Sequence, residues 1–178
     1  MREETIARNY AEALFQVGER NDETERFADL LDALAGAIET DEQIRVVLES
    51  PRVPKRQKSE ILRRALEGFA PEPLLRFLEA VVKRGRQGIL PVISREFQGL
   101  VDIKFNRVHA GIVLAREPDA ALRDEIRDRL SEILAKDVVT HIRTNPGIIG
   151  GIVVRVGDRV MDGSVRRKLK RLRRQMLG

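Results

Sequence analysis

Two histidines, five serines and no cysteine are what this 178-residue sequence offers for imidazole, serine-hydroxyl or thiolate chemistry. His109 and His141 each fall in a segment that alternates like a strand. Neither has a ligand-type residue at metal spacing, so a structural role outweighs that of general base or metal ligand for both. Ser50, Ser59, Ser94, Ser131 and Ser164 lack the glycine-flanked strand-to-helix turn of an exposed nucleophile. Without cysteine, disulfides and thiolate metal sites are excluded. No catalytic residue, cofactor site or metal site is expected.

The stretch GGIVVRVGDRVMDGSVRRKLKRL, Gly150 to Leu172, has the spacing most suggestive of a phosphate cradle. A Walker A loop ends in Gly-Lys-Ser/Thr four residues after its first glycine, and a dinucleotide fingerprint reads GxGxxG; Gly150, Gly151 and Gly157 satisfy neither. They read better as fold punctuation. Asn145-Pro146-Gly147 makes a turn, Gly150-Gly151 permits a bulge or a close backbone approach, and Gly157-Asp158 is a two-residue hairpin signal between Val156 and Val160. Asp162-Gly163-Ser164 then opens the last helix, with Asp162 or Ser164 as its N-cap; Asp158 and Asp162 are explained by turns.

The elements that must position these residues are mostly helices. Aliphatic residues carry the apolar load, aromatics make up only 4%, and 34% of residues are charged, which favours helix over an all-β fold. Six helical segments fill the first two-thirds: TIARNYAEALFQVGER, DETERFADLLDALAGAIE, DEQIRVVLES, PKRQKSEILRRALEG, PEPLLRFLEAVVKR and LPVISREFQGLVDIKF. Asp22 suits an N-cap, Pro54, Pro71 and Pro91 suit helix starts, and Gly68, Gly85 and Gly88 suit helix ends. Near Phe105 the period changes. VHAGIVLA, VVTHIRT, IIGGIVVRV and RVM read as strands, and a helix after Pro118 carries Leu122, Ile126, Leu130, Ile133 and Leu134 as a stripe that covers a small sheet. The expected fold is mainly α: an N-terminal six-helix bundle over 1–105, followed by a smaller α+β domain over 106–178 with a short sheet and a basic C-terminal helix.

The net charge of +5 is unevenly spread. Residues 1–105 hold 17 basic and 19 acidic side chains, residues 106–163 hold nine of each, and the last 15 hold seven basic and no acidic ones. In that tail Val165, Leu169, Leu172 and Met176 form a narrow seam between basic flanks, with part of the seam on the sheet and the flanks facing outward. A solvated face is the bland alternative, since exposed ion pairs contribute only ~0–1 kcal/mol each. A basic nucleic-acid-associated protein acting through this helix is the other alternative. The helix has no aromatic for base stacking, and no whole-surface basic footprint accompanies it, so nucleic acid is not the expected partner.

Two helices carry more apolar surface than one core-facing stripe needs. On a helical wheel the first spreads Ala13, Ile6, Val17, Tyr10, Leu14, Ala7, Ala11 and Phe15 over about 200°, and the fifth spreads Ala80 through Val81 to Leu75 over about 220°. The second confines Phe27, Leu30, Leu31, Leu34 and Ile38 to about 100°. Either helices one and five are central in the bundle, or together they form a groove for a partner's amphipathic helix.

Three stretches, ARNYAEALF, KRGRQGILPVISREF and GGIVVRVGDRVMDGSVRRKLKRL, carry a resemblance that covers essentially the whole chain. The sequence resembles the delta subunits of F-type ATP synthases, the family that includes the mitochondrial oligomycin-sensitivity-conferring protein. The resemblance implies a non-catalytic stator subunit without cofactor, whose N-terminal domain docks on the catalytic head and whose C-terminal domain joins the peripheral stalk, so that rotor torque is resisted. It implies that helices one and five receive an N-terminal helix of an alpha subunit. Tyr10 and Ala13 carry over from the family's motif, as do Ala80, Val81 and Arg84, and Val17 shares the first helix's arc. For the stalk side, facing b-type subunits, the candidates are Arg166, Arg167, Lys170, Arg171 and Arg174, whose charge would steer docking on an acidic stalk. The implied location is the cytoplasmic face of the inner (plasma) membrane, peripheral, within the ATP synthase complex and without membrane insertion. The start of the sequence reads as no signal peptide, and no segment reaches ~18 uninterrupted apolar residues.

Overall fold

The computed structural model describes residues 2–176. Among them are eight α-helices and one four-stranded sheet, so the chain is mainly helical with a small sheet and a C-terminal helix. It divides into two units, Met1–Ile103 and Lys104–Gly178.

The first unit contains α1 (Arg2–Asn21), α2 (Thr24–Thr40), α3 (Glu42–Glu49), α4 (Lys55–Leu66), α5 (Glu72–Lys83) and most of α6 (Leu90–Lys104). Local chemistry sets the boundaries. Asp41 caps α3 by accepting from the N–H groups of Gln43 (2.8 Å) and Ile44 (3.3 Å). Pro54 and Pro71 stand at the cap positions of α4 and α5, and Pro91 lies in the first turn of α6. Gly85, at φ +69°, stops α5: its N–H donates to Val82 and that of Arg86 to Val81, the two bonds of a Schellman ending. Asp22 is not an N-cap. It sits at φ +54° directly after α1, and α2 starts at Thr24 without a side-chain cap.

All six helices contribute to one core, in which Leu14, Phe27, Leu31, Leu48, Leu62, Leu78, Val81, Ile93 and Phe97 are buried. The broad apolar arc of α5 is mostly spent there: Leu74, Leu75, Leu78, Val81 and Val82 are all enclosed, because α5 lies between α4 and α1. The arc of α1 is spent only in part. Ala7, Ala11 and Leu14 are buried, Tyr10, Phe15 and Val17 are half-buried against the core, and Ala13 is exposed.

The second unit runs β1 (Arg107–Leu114), α7 (Ala120–Leu134), β2 (Asp137–Thr144), β3 (Ile152–Val156), β4 (Arg159–Asp162) and α8 (Val165–Met176). The sheet order is β2-β1-β3-β4. β1 and β2 are parallel, which requires a crossover, and α7 supplies it; the other pairings are antiparallel, with Gly157-Asp158 turning β3 into β4. Ala110, Ile112, Leu114, Val138 and Val154 form the core with Leu130, and Ile126 and Leu134 pack against it. Leu122 and Ile133 do not belong to the covering stripe: they are exposed, lying roughly 60–80° round the helix from Leu130 at 100° per residue. The third strand is also shorter than its apolar run, since Pro146–Ile148 is a 3₁₀ turn and Ile149 adopts φ +70°, so pairing begins only at Ile152.

Candidate docking surfaces

Where α1 meets α5, Tyr10 and Phe77 pack edge to face, with ring centroids 6.0 Å apart and planes at 71°. The Arg86 guanidinium stands 5.5 Å above the Tyr10 ring, and the Tyr10 hydroxyl oxygen is buried with no hydrogen-bond partner among the described residues. Val17 is half-buried and Ala13 exposed on the same strip of α1. Ala80 and Arg84 are exposed on α5, where Arg84 forms the C-cap. Ala80 also lines a charged cleft between α4 and α5 that holds Lys55, Arg63, Glu79 and Lys83. There Arg63 donates to Glu79 (2.8 Å) and Glu72 (3.0 Å), bonds that raise its already high pKa, the Glu79 bond most. Val81 is different: it is 0% exposed, so it belongs to the core and cannot touch a partner.

A second cavity in this unit, about 430 Å³, is lined by Leu34, Ala37, Ile44, Leu48, Ile61 and Leu66 among others. α2, α3 and α4 each contribute part of its wall, so no single helical wheel reveals it.

In the second unit α8 is held at its first turn. The Ser164 hydroxyl caps the helix by accepting from Arg167 N–H (3.1 Å), and Asp162 accepts from Ser164 N–H (2.9 Å). Bonds from Ser164, its hydroxyl first and its N–H second, together with the Arg167 charge, hold the Asp162 carboxyl below its ordinary pKa. Gly151 passes close to the chain here: at φ +78°, a Cβ on it would lie 2.5 Å from the Gly163 carbonyl oxygen. Beyond this turn the helix is bare. Leu169 and Leu172 are half exposed, Met176 is 85% exposed, and Arg166, Arg167, Lys168, Lys170, Arg171, Arg173 and Arg174 are all exposed. The seam therefore does not pack on the sheet beyond Val165. Asp162, Arg167, Lys168, Lys170, Arg171 and Arg174 line one basic recess.

His109 and His141 are not isolated. The parallel register sets His141 opposite Gly111, and the two imidazoles meet with Nδ1 of His109 2.9 Å from Nε2 of His141 and their rings stacked. One ring donates and the other accepts. Among the described residues no third ligand-type side chain joins them in a metal-sized group.

Comparison with known proteins gives these surfaces a context. The model of the ATP synthase delta (OSCP) subunit family matches residues 6–176. The chain belongs to the ATP synthase delta (OSCP) subunit family. It is 46% identical to the ATP synthase subunit delta of Gemmatimonas aurantiaca over 98% of this chain and 95% of that protein. With the ATP synthase subunit delta of Carboxydothermus hydrogenoformans it shares 33% identity over the whole of both. A chain of the mitochondrial ATP synthase hexamer of Toxoplasma gondii has the same fold, at a TM-score of 0.70 and 23% identity over 97% of each chain. As a delta-family subunit the protein is a structural, non-catalytic part of the ATP synthase stator. No described helix is long and apolar enough to cross a membrane.

Proposed function

We propose that the protein is a two-ended link. In this reading residues 1–105 act as a six-helix bundle that docks on the catalytic head, and residues 106–178 bind b-type subunits of the peripheral stalk, so that rotor torque is resisted during proton-driven ATP synthesis. The complex would lie at the cytoplasmic face of the membrane. The observation that carries the head side is the α1–α5 contact: Tyr10 packs edge to face on Phe77, its hydroxyl is buried without a partner among the described residues, and Ala13 on α1 and Ala80 on α5 are exposed. Small residues at Ala13 and Ala80 leave room for a backbone, and an apolar floor suits the apolar face of an amphipathic helix, here the N-terminal helix of an alpha subunit. Arg86, over the Tyr10 ring, and the exposed Arg84 at the end of α5 suit carboxylates on that helix. The stalk side rests on the basic flanks Arg166, Arg167, Lys170, Arg171 and Arg174.

Tyr10 is the only tyrosine, and there is no tryptophan, so its fluorescence reports the α1–α5 contact directly. Titration of the full chain with a synthetic N-terminal alpha-subunit peptide lacking Tyr and Trp should change that emission saturably. In Ala13→Glu the apparent Kd should rise at least roughly tenfold, because a carboxylate would be forced against the docked apolar face. Unchanged emission with wild-type protein defeats the head-side assignment.

A further inference from the structure

β2 stands at one end of the sheet order, so one of its edges pairs with no strand among the described residues; the other end is β4, only four residues long. The hydrogen bonds at the two limits of β2 fix which backbone groups lie on that open edge. Asp137 N–H donates to Asn106 and Asn145 N–H to Leu114, so odd-numbered residues bond inward to β1. Val138, Thr140, Ile142 and Thr144 therefore point their N–H and C=O groups away from the sheet. Sheet edges are commonly blunted by proline, lysine, a bulge or shortness. β2 has none of these. It is eight residues long with an unbroken register, five of its residues are β-branched, and the charges of Asp137 and Arg143 cancel.

The sequence of this edge matches itself. Turned end for end about Thr140, it sets Thr140 opposite Thr140, Val138 opposite Ile142, and Asp137 opposite Arg143. Even-numbered residues then meet even-numbered ones, so the outward groups of Val138, Thr140 and Ile142 can exchange hydrogen bonds as the bonded pairs of an antiparallel ladder. A shift of one residue would face outward groups with inward ones, and a shift of two would part Asp137 from Arg143. Asp137 accepts from Arg107 Nε through Oδ2 (3.1 Å), while Arg143 is exposed and forms no ion pair among the described residues. Opposed charges of this kind favour one register.

We propose that the open edge of β2 pairs with the same edge of a second copy of this chain, as an antiparallel β2–β2 ladder centred on Thr140. The self-matching names the occupant. A two-fold axis through the Thr140 pair returns Arg143 to Asp137 and Asp137 to Arg143 at once, as an isologous contact requires. This goes beyond the two-ended link and uses none of its docking residues: the pairing covers an adhesive edge while the subunit is free of its other partners.

The chain has no cysteine, so a single introduced thiol reports the register. Across a hydrogen-bonded pair the Cα atoms stand ~5.5 Å apart, within disulfide reach, so full-length Thr140→Cys should cross-link to a dimer under mild oxidation. Thr144→Cys, exposed on the same edge, should not, because its counterpart in the second copy lies roughly 27 Å away along the strand. Thr140→Pro removes only an outward N–H, which a strand edge tolerates, and should weaken self-association at least roughly tenfold in sedimentation equilibrium while circular dichroism stays unchanged. Arg143→Asp sets carboxylate against carboxylate and should weaken it roughly tenfold. Cross-linking confined to Thr140→Cys supports the ladder whatever its strength. A wild-type chain that sediments as a monomer throughout, with no dimer from Thr140→Cys, overturns it. A dimer that Thr140→Pro leaves unaltered, or that Thr144→Cys traps as readily as Thr140→Cys, overturns it too, since another surface would then hold the copies. Should Thr140→Pro fail to fold, the two cysteine variants decide.

Discussion

Gly151 shows how narrowly a single position is set. At φ +78°, with the Gly163 carbonyl oxygen 2.5 Å from a would-be Cβ, alanine has neither the conformation nor the space. Gly151→Ala should lose about 1–3 kcal/mol, read as a lower urea midpoint with an unchanged slope. Asp162 predicts a pH dependence. Its carboxyl is depressed in the folded chain, so it stabilises the fold above the unfolded-state pKa of about 3.9 and loses that contribution as pH falls through its lower folded value. Urea denaturation should therefore find Asp162→Asn less stable than wild type at pH 7, with the gap closing in acid. Both positions were legible, because glycine pairs and Asp-Gly-Ser mark turns and caps by their own chemistry. The His109–His141 pair was not legible. Thirty-two residues separate its members, and what joins them is the register of a parallel pair, which a crossover helix leaves open.

At the scale of the element, helix starts and stops followed from Pro54, Pro71, Pro91, Gly68 and Gly85, since each acts on its own backbone. Which part of a broad apolar arc faces inward did not follow, because that depends on what packs beside the helix. Val81 and Ala13 mark the two outcomes. Val81→Ala should cost about 1–3 kcal/mol of stability through lost burial and an unfilled space, yet leave the affinity for an alpha-subunit peptide unchanged. Ala13→Glu should do the reverse, with stability within about 0.5 kcal/mol of wild type and the peptide affinity lost. Denaturation and Tyr10 fluorescence on the same two variants separate the roles. α8 presents the same lesson from the other side: its seam was readable at 3.6 periodicity, but whether the sheet covers it was not, and Leu169, Leu172 and Met176 beyond Val165 are exposed. Ser164→Ala removes its N-cap and should cost about 1 kcal/mol of stability, with fraying of the helix visible in amide exchange.

For the whole molecule, two units with separate cores meet a mechanical requirement. A stator link must hold two partners at once, and separate units permit two interfaces to be tuned apart. The distribution of charge has the same division, with the uncompensated positive charge confined to the last helix and none in the first 105 residues. The most direct measurement is a bridging assay: catalytic heads freed of this subunit are sedimented with detergent-solubilised b-type subunits, with and without the full chain. A two-ended link predicts that b-type subunits sediment with heads only when the chain is present, and that Ala13→Glu or Lys170→Glu/Arg171→Glu each abolishes the bridge while the folded chain keeps its other partner. Equal recovery of b-type subunits with and without the chain, or none with the wild-type protein, would contradict it.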